Sequence, residues 1–271
     1  MRILIALIVL FAVPAQALEL QGAFKQGGLV IGHTAPGAQV TLDGETVDVA
    51  ADGAFVIGFG RDAKPHAVLK VVEPGGKIDE HALTIVKQDY KIQRIDGLPA
   101  RKVTPKPEDV ARIKADNAKI WGVRGAISPE SRFLSGFRWP VTGPISGVFG
   151  SQRILNGQPK NPHNGVDVAA PEGTPIVAPA DGVVALVHDD MFYTGKTVMI
   201  DHGLGLTTVY AHMDSIAVIE GQVVSQGDAI GTVGKTGRVT GAHLHWGMTW
   251  KSVHLDPMLA TEPMPKAMSQ K

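Results

Sequence analysis

The 271-residue sequence contains no cysteine. Disulfide staples are excluded, so the chain must rest on adequate hydrophobic cores. Any metal it binds must be held by His, Asp or Glu. An excess of either charge is also missing, with 26 Lys plus Arg against 26 Asp plus Glu. That balance gives neither a nucleic-acid footprint nor a polybasic membrane patch. Long apolar runs are confined to the start of the chain, and no later stretch could span a bilayer. What is plentiful is glycine (32) and proline (18), which favours short strands and many turns over long helices.

The first residues, "MRILIALIVLFAVPAQALEL", carry Arg2, an apolar run from Ile3 to Val13 and small residues at "AQA". This pattern reads as a cleaved signal peptide over residues 1–17, because the run is too short for about 30 Å of hydrocarbon. The mature chain is expected to be exported, without stable membrane insertion, and the periplasm is favoured over full secretion or wall association.

The rest reads as an all-β chain in two parts. Residues 18–95 alternate β-branched residues with turn signals such as "APGA", "LDGE" and "ADGA", which predicts a small sandwich-like β domain. Residues 96–137 form a connector. It holds one surface helix with Pro107 in the first turn and Glu108 and Asp109 favouring its positive end, followed by the loop-like "RGAISPESRFLSGFRWP". Residues 138–260 bring short apolar strands separated by Gly, Pro and Asp, a second, antiparallel β domain. Residues 261–271 read as a flexible tail.

The second domain holds seven of the ten histidines. In "NPHNGVDVAAP", His163 and Asp167 are four apart, and a bend at Asn164-Gly165 would bring imidazole and carboxylate together. In "GAHLHWGM", His243 and His245 share one strand face, Leu244 turns to the core, and Gly241-Ala242 leaves open space with Trp246 as a wall. In "TTVYAHMDS", His212 ends an apolar strand before a turn. A catalytic zinc needs three protein ligands and one open position. His163, Asp167 and one of the His243/His245 pair meet that need, and the remaining histidines can carry protons. Spacing does not choose between the pair.

Taken together, "HNGVD", "VYAHM" and "HLHW", with "APADGVVA" and "GQVVSQGDAIGTVGKTG" between them, resemble the lysostaphin-type (LytM-like, glycyl-glycyl endopeptidase) zinc peptidases of bacterial cell walls. The resemblance covers about residues 139–257. It implies one Zn²⁺ per chain held by His163, Asp167 and His245, with His212 and His243 as catalytic histidines, the principal base left open. It also implies a compact antiparallel sheet with the metal in an open groove, and peptide cross-links or stem peptides of peptidoglycan as substrate.

Two other functions fit parts of the sequence. One is a non-catalytic wall-binding protein or amidase activator with a vestigial site. The other is a lipoyl- or biotinyl-type carrier, for which Lys196 in "YTGKTV" would be the attachment lysine. His188 and His202 read as structural or rim residues. Asp201 is a candidate support for the metal site, and Tyr193 and Tyr210 are candidate oxyanion donors.

Overall fold

The computed structural model describes residues 18–265. The signal peptide expected at 1–17 and the last six residues of the tail lie outside the described residues. Among the described residues, no helix is long and apolar enough to cross a membrane.

The amino-terminal part folds as two small sheets facing each other. One orders the strands Glu19–Gly22, Leu29–His33 and Ala54–Gly58. The other orders Glu45–Val47, Gln39–Leu42, His66–Val72 and Ile78–Thr84. "LDGE" makes the hairpin turn. Asp43 and Gly44 both take positive φ, 51° and 85°, which suits a two-residue loop to the twist of its strands. Period-two burial along His66–Val72 turns Ala67, Leu69 and Val71 inward. The resulting core includes Phe55, Ile57 and Leu69, and it continues into Leu206, Met248 and Leu255 of the second part.

The strand Ile92–Ile95, grouped with the amino-terminal domain by sequence, pairs instead with Gln152–Leu155, parallel and in register. Two helices follow, where sequence predicted one. The short Ala100–Val103 buries Val103 against Leu98 and Leu155. The long Pro107–Gly125 begins at its proline as predicted, and the Asp109 carboxylate accepts from Lys106 N at 3.1 Å and from Arg101 Nη2 at 2.5 Å. Val110 and Trp121 of this helix are exposed, while Ile120 and Val123 pack on Leu186, Met191, Met199 and Val209. Asp116, buried, accepts from Phe192 N at 2.7 Å, which ties the helix to the 192–194 turn. Within the loop-like stretch, Arg132–Ser135 forms a 3-10 turn that buries Phe133.

The second part is one ten-stranded sheet. Its main path runs Val223–Val224, Gly182–Met191, Gly195–Asp201, Leu206–Ile216, His243–Trp250, Val166–Ala169, Ile145–Gly147. All these neighbours are antiparallel. One face buries Val166, Val168, Val198, Tyr210, Leu244 and Trp246. The tail is tied down as far as Met264: Trp139 Nε1 donates to Glu262 O at 2.9 Å, and Met264 packs against the core.

Candidate metal centre

Register explains how the site assembles. In the strand Val166–Ala169, Asp167 stands opposite His245 of His243–Trp250, and Ala169 stands opposite His243. Directly paired residues share a face, and so do residues two apart on one strand. Asp167, His243 and His245 are therefore forced to one side. Val168 and Leu244, the paired residues between them, are fully buried on the other. His163 arrives from the preceding loop, through a bend at Gly165. Its backbone is fixed by two bonds: His163 N donates to Ser151 O at 2.9 Å, and Gly150 N donates to His163 O at 2.8 Å.

His212 needs a different device. In the strand Leu206–Ile216, Ala211 faces His245, so a regular strand would send the next residue into the core. At this point the pairing with Gly195–Asp201 shifts register between Lys196 and Val198, with Ala211 and His212 set against Thr197. His212 takes φ 65°, the left-handed region that is rare for a β-strand residue bearing a side chain. The bulge turns the imidazole to the site face, with its ring centroid 4.9 Å from that of His243. His212 thus lies within a strand, not at its end as sequence predicted.

Three ligand atoms converge. His163 Nε2 lies 3.0 Å from Asp167 Oδ1 and 3.0 Å from His245 Nδ1, and His245 Nδ1 lies 2.8 Å from Asp167 Oδ1. His163 Nδ1 donates to the Val148 carbonyl at 3.2 Å, which leaves Nε2 as a lone pair. Lone pairs packed this closely repel unless a proton or a cation stands between them. Tetrahedral ligand atoms about 2.0–2.1 Å from one ion would stand about 3.3–3.4 Å apart, a few tenths of an ångström wider than seen here. The donor set, two imidazoles and one carboxylate, fits a metal ion by both chemistry and spacing.

The protonation pattern agrees. Burial pushes His163 down to about 4, so it is neutral near pH 7. Burial opposes ionisation of Asp167, but the His163 and His245 imidazoles hold its carboxyl well below the usual carboxylate range. Burial, then the neighbouring His243 and His245, hold His212 well below the ordinary histidine value. His212 Nδ1 donates to Thr236 O at 2.8 Å and His243 Nδ1 donates to Gly241 O at 2.9 Å. Each therefore keeps Nε2 free to accept a proton.

Sequence reasoning missed Arg153. Its Nη2 donates to Asp167 Oδ2 at 2.7 Å, so one carboxylate oxygen is clamped while the other faces the imidazoles. Nothing in "SQRILNG" announces this; the contact exists because Gln152–Leu155 lies beside the loop that carries His163. Gly147 closes the same corner. A Cβ there would stand 2.4 Å from Asp167 Oδ2 and 3.1 Å from His163 Cε1, so only glycine fits without displacement.

Several expectations are corrected. Trp246 does not wall the site; it is fully buried on the opposite face, edge-on to Trp139 with centroids 5.7 Å apart. Tyr210 is buried there too, its hydroxyl 2.7 Å from Thr208 Oγ1, and cannot serve an oxyanion. Both corrections follow from their pairing with each other, one step out of phase with Ala211 and His245. Tyr193 does face the site, across a cavity of about 640 Å³ that also reaches His163, His212 and His245. His202 is fully buried, donating from Nδ1 to Asp181 O at 2.7 Å and accepting at Nε2 from Thr208 Oγ1 at 2.8 Å, which is the structural one of the two roles expected of it. Asp201 accepts from Gly203 N at 2.9 Å and from Ser128 Oγ at 2.5 Å and has no part in the site. His188 accepts from Asp190 N at 3.1 Å, away from the metal residues. Lys196 lies inside a strand, paired with Met213, with its ammonium bonded to Asp214 O, which removes the exposed hairpin lysine a carrier domain needs.

Comparison with known proteins agrees with this geometry. The sequence profile of Peptidase family M23 matches residues 161–257, a span that holds all five site residues, His163, Asp167, His212, His243 and His245. The fold matches the crystal structure of a Pseudomonas aeruginosa protein described as peptidase M23 with a TM-score of 0.67 and 31% identity, over 87% of this chain and 94% of that one. The chain belongs to peptidase family M23. Two curated proteins are similar over part of the chain. Peptidoglycan DD-endopeptidase ShyA of Vibrio cholerae is 43% identical over 110 residues, 41% of this chain and 25% of that protein. DD-carboxypeptidase/endopeptidase Mpg of Neisseria meningitidis is 42% identical over 104 residues, 38% of this chain and 24% of that protein. The chain therefore spans about a quarter of the length of these curated relatives.

Proposed function

We propose that the protein is a zinc-dependent endopeptidase that hydrolyses peptide cross-links or stem peptides of bacterial peptidoglycan. The observation that carries this reading is the convergence of three ligand atoms within 3.0 Å beside two further histidines whose tautomers are already set. His163 Nε2, Asp167 Oδ1 and His245 Nδ1 would hold the ion. Zinc bound there would lower the pKa of a water ligand and polarise the scissile carbonyl.

The chain's own groups do the rest. Nε2 of His212 or His243 takes the proton from the attacking water and returns it to the leaving amine. The Thr236 and Gly241 carbonyls hold the two rings in orientation through the protons on Nδ1. Arg153 holds Asp167 Oδ2, which leaves Oδ1 turned to the imidazoles, where it would serve as the ligand. Tyr193, on the cavity wall, is the remaining side-chain candidate for stabilising the developing oxyanion. Similarity to a protein named as a peptidoglycan DD-endopeptidase and to one named as a DD-carboxypeptidase/endopeptidase supports the substrate class.

Export follows from this reading, since the substrate lies outside the cytoplasm, and the periplasm fits the leader pattern of residues 1–17. The division into leader, amino-terminal β domain, connector and peptidase domain belongs to the same reading, with the β domain binding or positioning substrate. A non-catalytic activator would have no need of two oriented proton carriers beside the ligands. The test is hydrolysis by the purified protein. His245→Ala should lose metal and activity together, whereas His243→Ala should keep metal and lose activity. Normal cleavage of peptidoglycan by both variants would refute the assignment.

A further inference from the structure

The cavity above the metal residues has an unusual charge balance. The whole chain is neutral, yet the wall contains Arg124, Arg153, Lys160 and Arg238 and, among the described residues, no aspartate or glutamate. Arg153 is spent on Asp167. Lys160 meets only a neutral partner, donating to Gln158 Oε1 at 3.1 Å. Among the described residues, neither Arg124 nor Arg238 forms an ion pair, and the Arg124 Nε is buried without a hydrogen-bond partner. Both guanidiniums are instead propped by aromatic rings: Arg238 over Tyr193 at 4.5 Å and Arg124 over Trp121 at 5.4 Å. Burial depresses both, Arg124 to about 10, and the nearby Arg153 adds to the depression at Arg238; both stay charged near neutrality.

Burying a guanidinium without a counter-charge is costly, and a nearby second cation raises the cost. A planar fork held on an aromatic face is the arrangement suited to two-point recognition of a carboxylate. Arg124 comes from the last turn of the helix Pro107–Gly125, and Arg238 from the loop that leads into His243. The connector and the catalytic sheet each supply one cation to the same space. The connector helix is held there by the bond from Phe192 N to Asp116 and the ion pair of Arg112 with Asp190 at 2.8 Å.

We propose that this cavity is a carboxylate-recognition subsite: Arg124 and Arg238 each offer an unpaired guanidinium to carboxylates of the substrate peptide and so make the enzyme selective for acidic peptides. The connector helix is then a wall of the substrate site. The carboxylate has two possible sources, an acidic side chain or a free main-chain terminus. The proposal rests on the peptidase reading only for where the scissile amide lies; the anion subsite stands without it.

The test is binding to the full, chelated chain by calorimetry at low salt. The probe is the synthetic peptide Ac-Ala-Glu-Lys-Ala in four forms: both carboxylates free, Glu replaced by Gln, the terminus amidated, and both changes together. The free form should bind at least about tenfold more tightly than the doubly neutral form, and the two intermediate forms identify which carboxylate is read. Arg124→Gln and Arg238→Gln should each remove about tenfold and shrink the difference, while Arg124→Lys keeps part of it because the charge remains. Equal binding of charged and neutral forms, no binding of any form, or a preference that survives both glutamine variants would overturn the proposal. So would Arg124→Ala speeding cleavage of every form alike, since the helix would then be a cover. Failure of the zinc-loaded protein to cut peptidoglycan sacculi would count against the peptidase reading while leaving the binding result interpretable.

Discussion

Gly147→Ala adds one methyl group at the tightest corner of the site. The new Cβ would fall 2.4 Å from Asp167 Oδ2, 3.0 Å from Asp167 Cγ and 3.1 Å from His163 Cε1. Ordinary contact needs about 3.5 Å between such atoms, so the carboxylate must retreat by about 1 Å. Arg153 blocks the easy retreat, because its guanidinium is 2.7 Å from the same oxygen. Moving Asp167 therefore either breaks that ion pair or pulls Oδ1 away from His163 and His245. Metal sites tolerate about 0.2 Å in ligand position, and disturbing a group that orients a ligand costs about 10–100-fold in metal affinity. The Gly147 φ does not lie in the left-handed region, so alanine adds no backbone strain and the effect is steric. Overpacking of this kind costs about 1–3 kcal/mol of stability, small enough to leave a folded protein to measure. Zinc affinity is read by competition with a chromophoric chelator, and folding by thermal melts in excess chelator. The expected result is a folded variant with zinc affinity reduced at least about tenfold and turnover reduced with it. A variant that binds zinc within about twofold of the parent would show that Asp167 is not held as described, or is not a ligand.

Arg153→Met should also weaken zinc by about 10–100-fold with the fold retained, measured by the same competition; unchanged affinity would remove the clamp from the account. His212→Ala should retain zinc and lose about 10²–10⁴-fold in turnover. Because residue 212 sits at φ 65°, His212→Gly should be more stable than His212→Ala by about 1–2 kcal/mol, the reverse of the usual order in a strand, as read by denaturant unfolding. Acid should destabilise the chelated protein. Burial holds His163, His202 and His254 at about 4 in the folded state, so the unfolded chain, with histidines near 6.5, binds more protons between those values. Stability then falls as pH drops from about 6.5 toward 4, by up to about 1.4 kcal/mol per pH unit for each histidine. Asp256, raised to about 6 by burial, opposes this with one group below that pH. A melting temperature flat between pH 7 and pH 5 would contradict the pattern.

Residues whose roles follow from local geometry were readable in the sequence. "HNG" announces its bend, and "HLH" must present both imidazoles on one face in any extended strand. "LDGE" closes a two-residue hairpin as turn chemistry requires. Roles that depend on register were not readable. Tyr210 and Trp246 were assigned to the site, but their pairing places them in the core. His212 reaches the site only because a bulge reverses the direction that strand alternation dictates, and no residue near "YAHM" marks it. The Arg153 contact with Asp167 spans 14 residues, and Arg124 reaches the cavity from a helix whose docking depends on Asp116 meeting Phe192, 76 positions apart. The outward face of that helix looks like an ordinary solvated surface until the sheet beneath it is in place.

The most direct test of the central claim is digestion of purified peptidoglycan sacculi, with mass analysis of the fragments, by chelated protein to which zinc is returned in steps. The account predicts no peptide-bond cleavage without metal and full recovery at one equivalent of zinc per chain. Cleavage that persists in the chelated protein, or none at any zinc level, would contradict it.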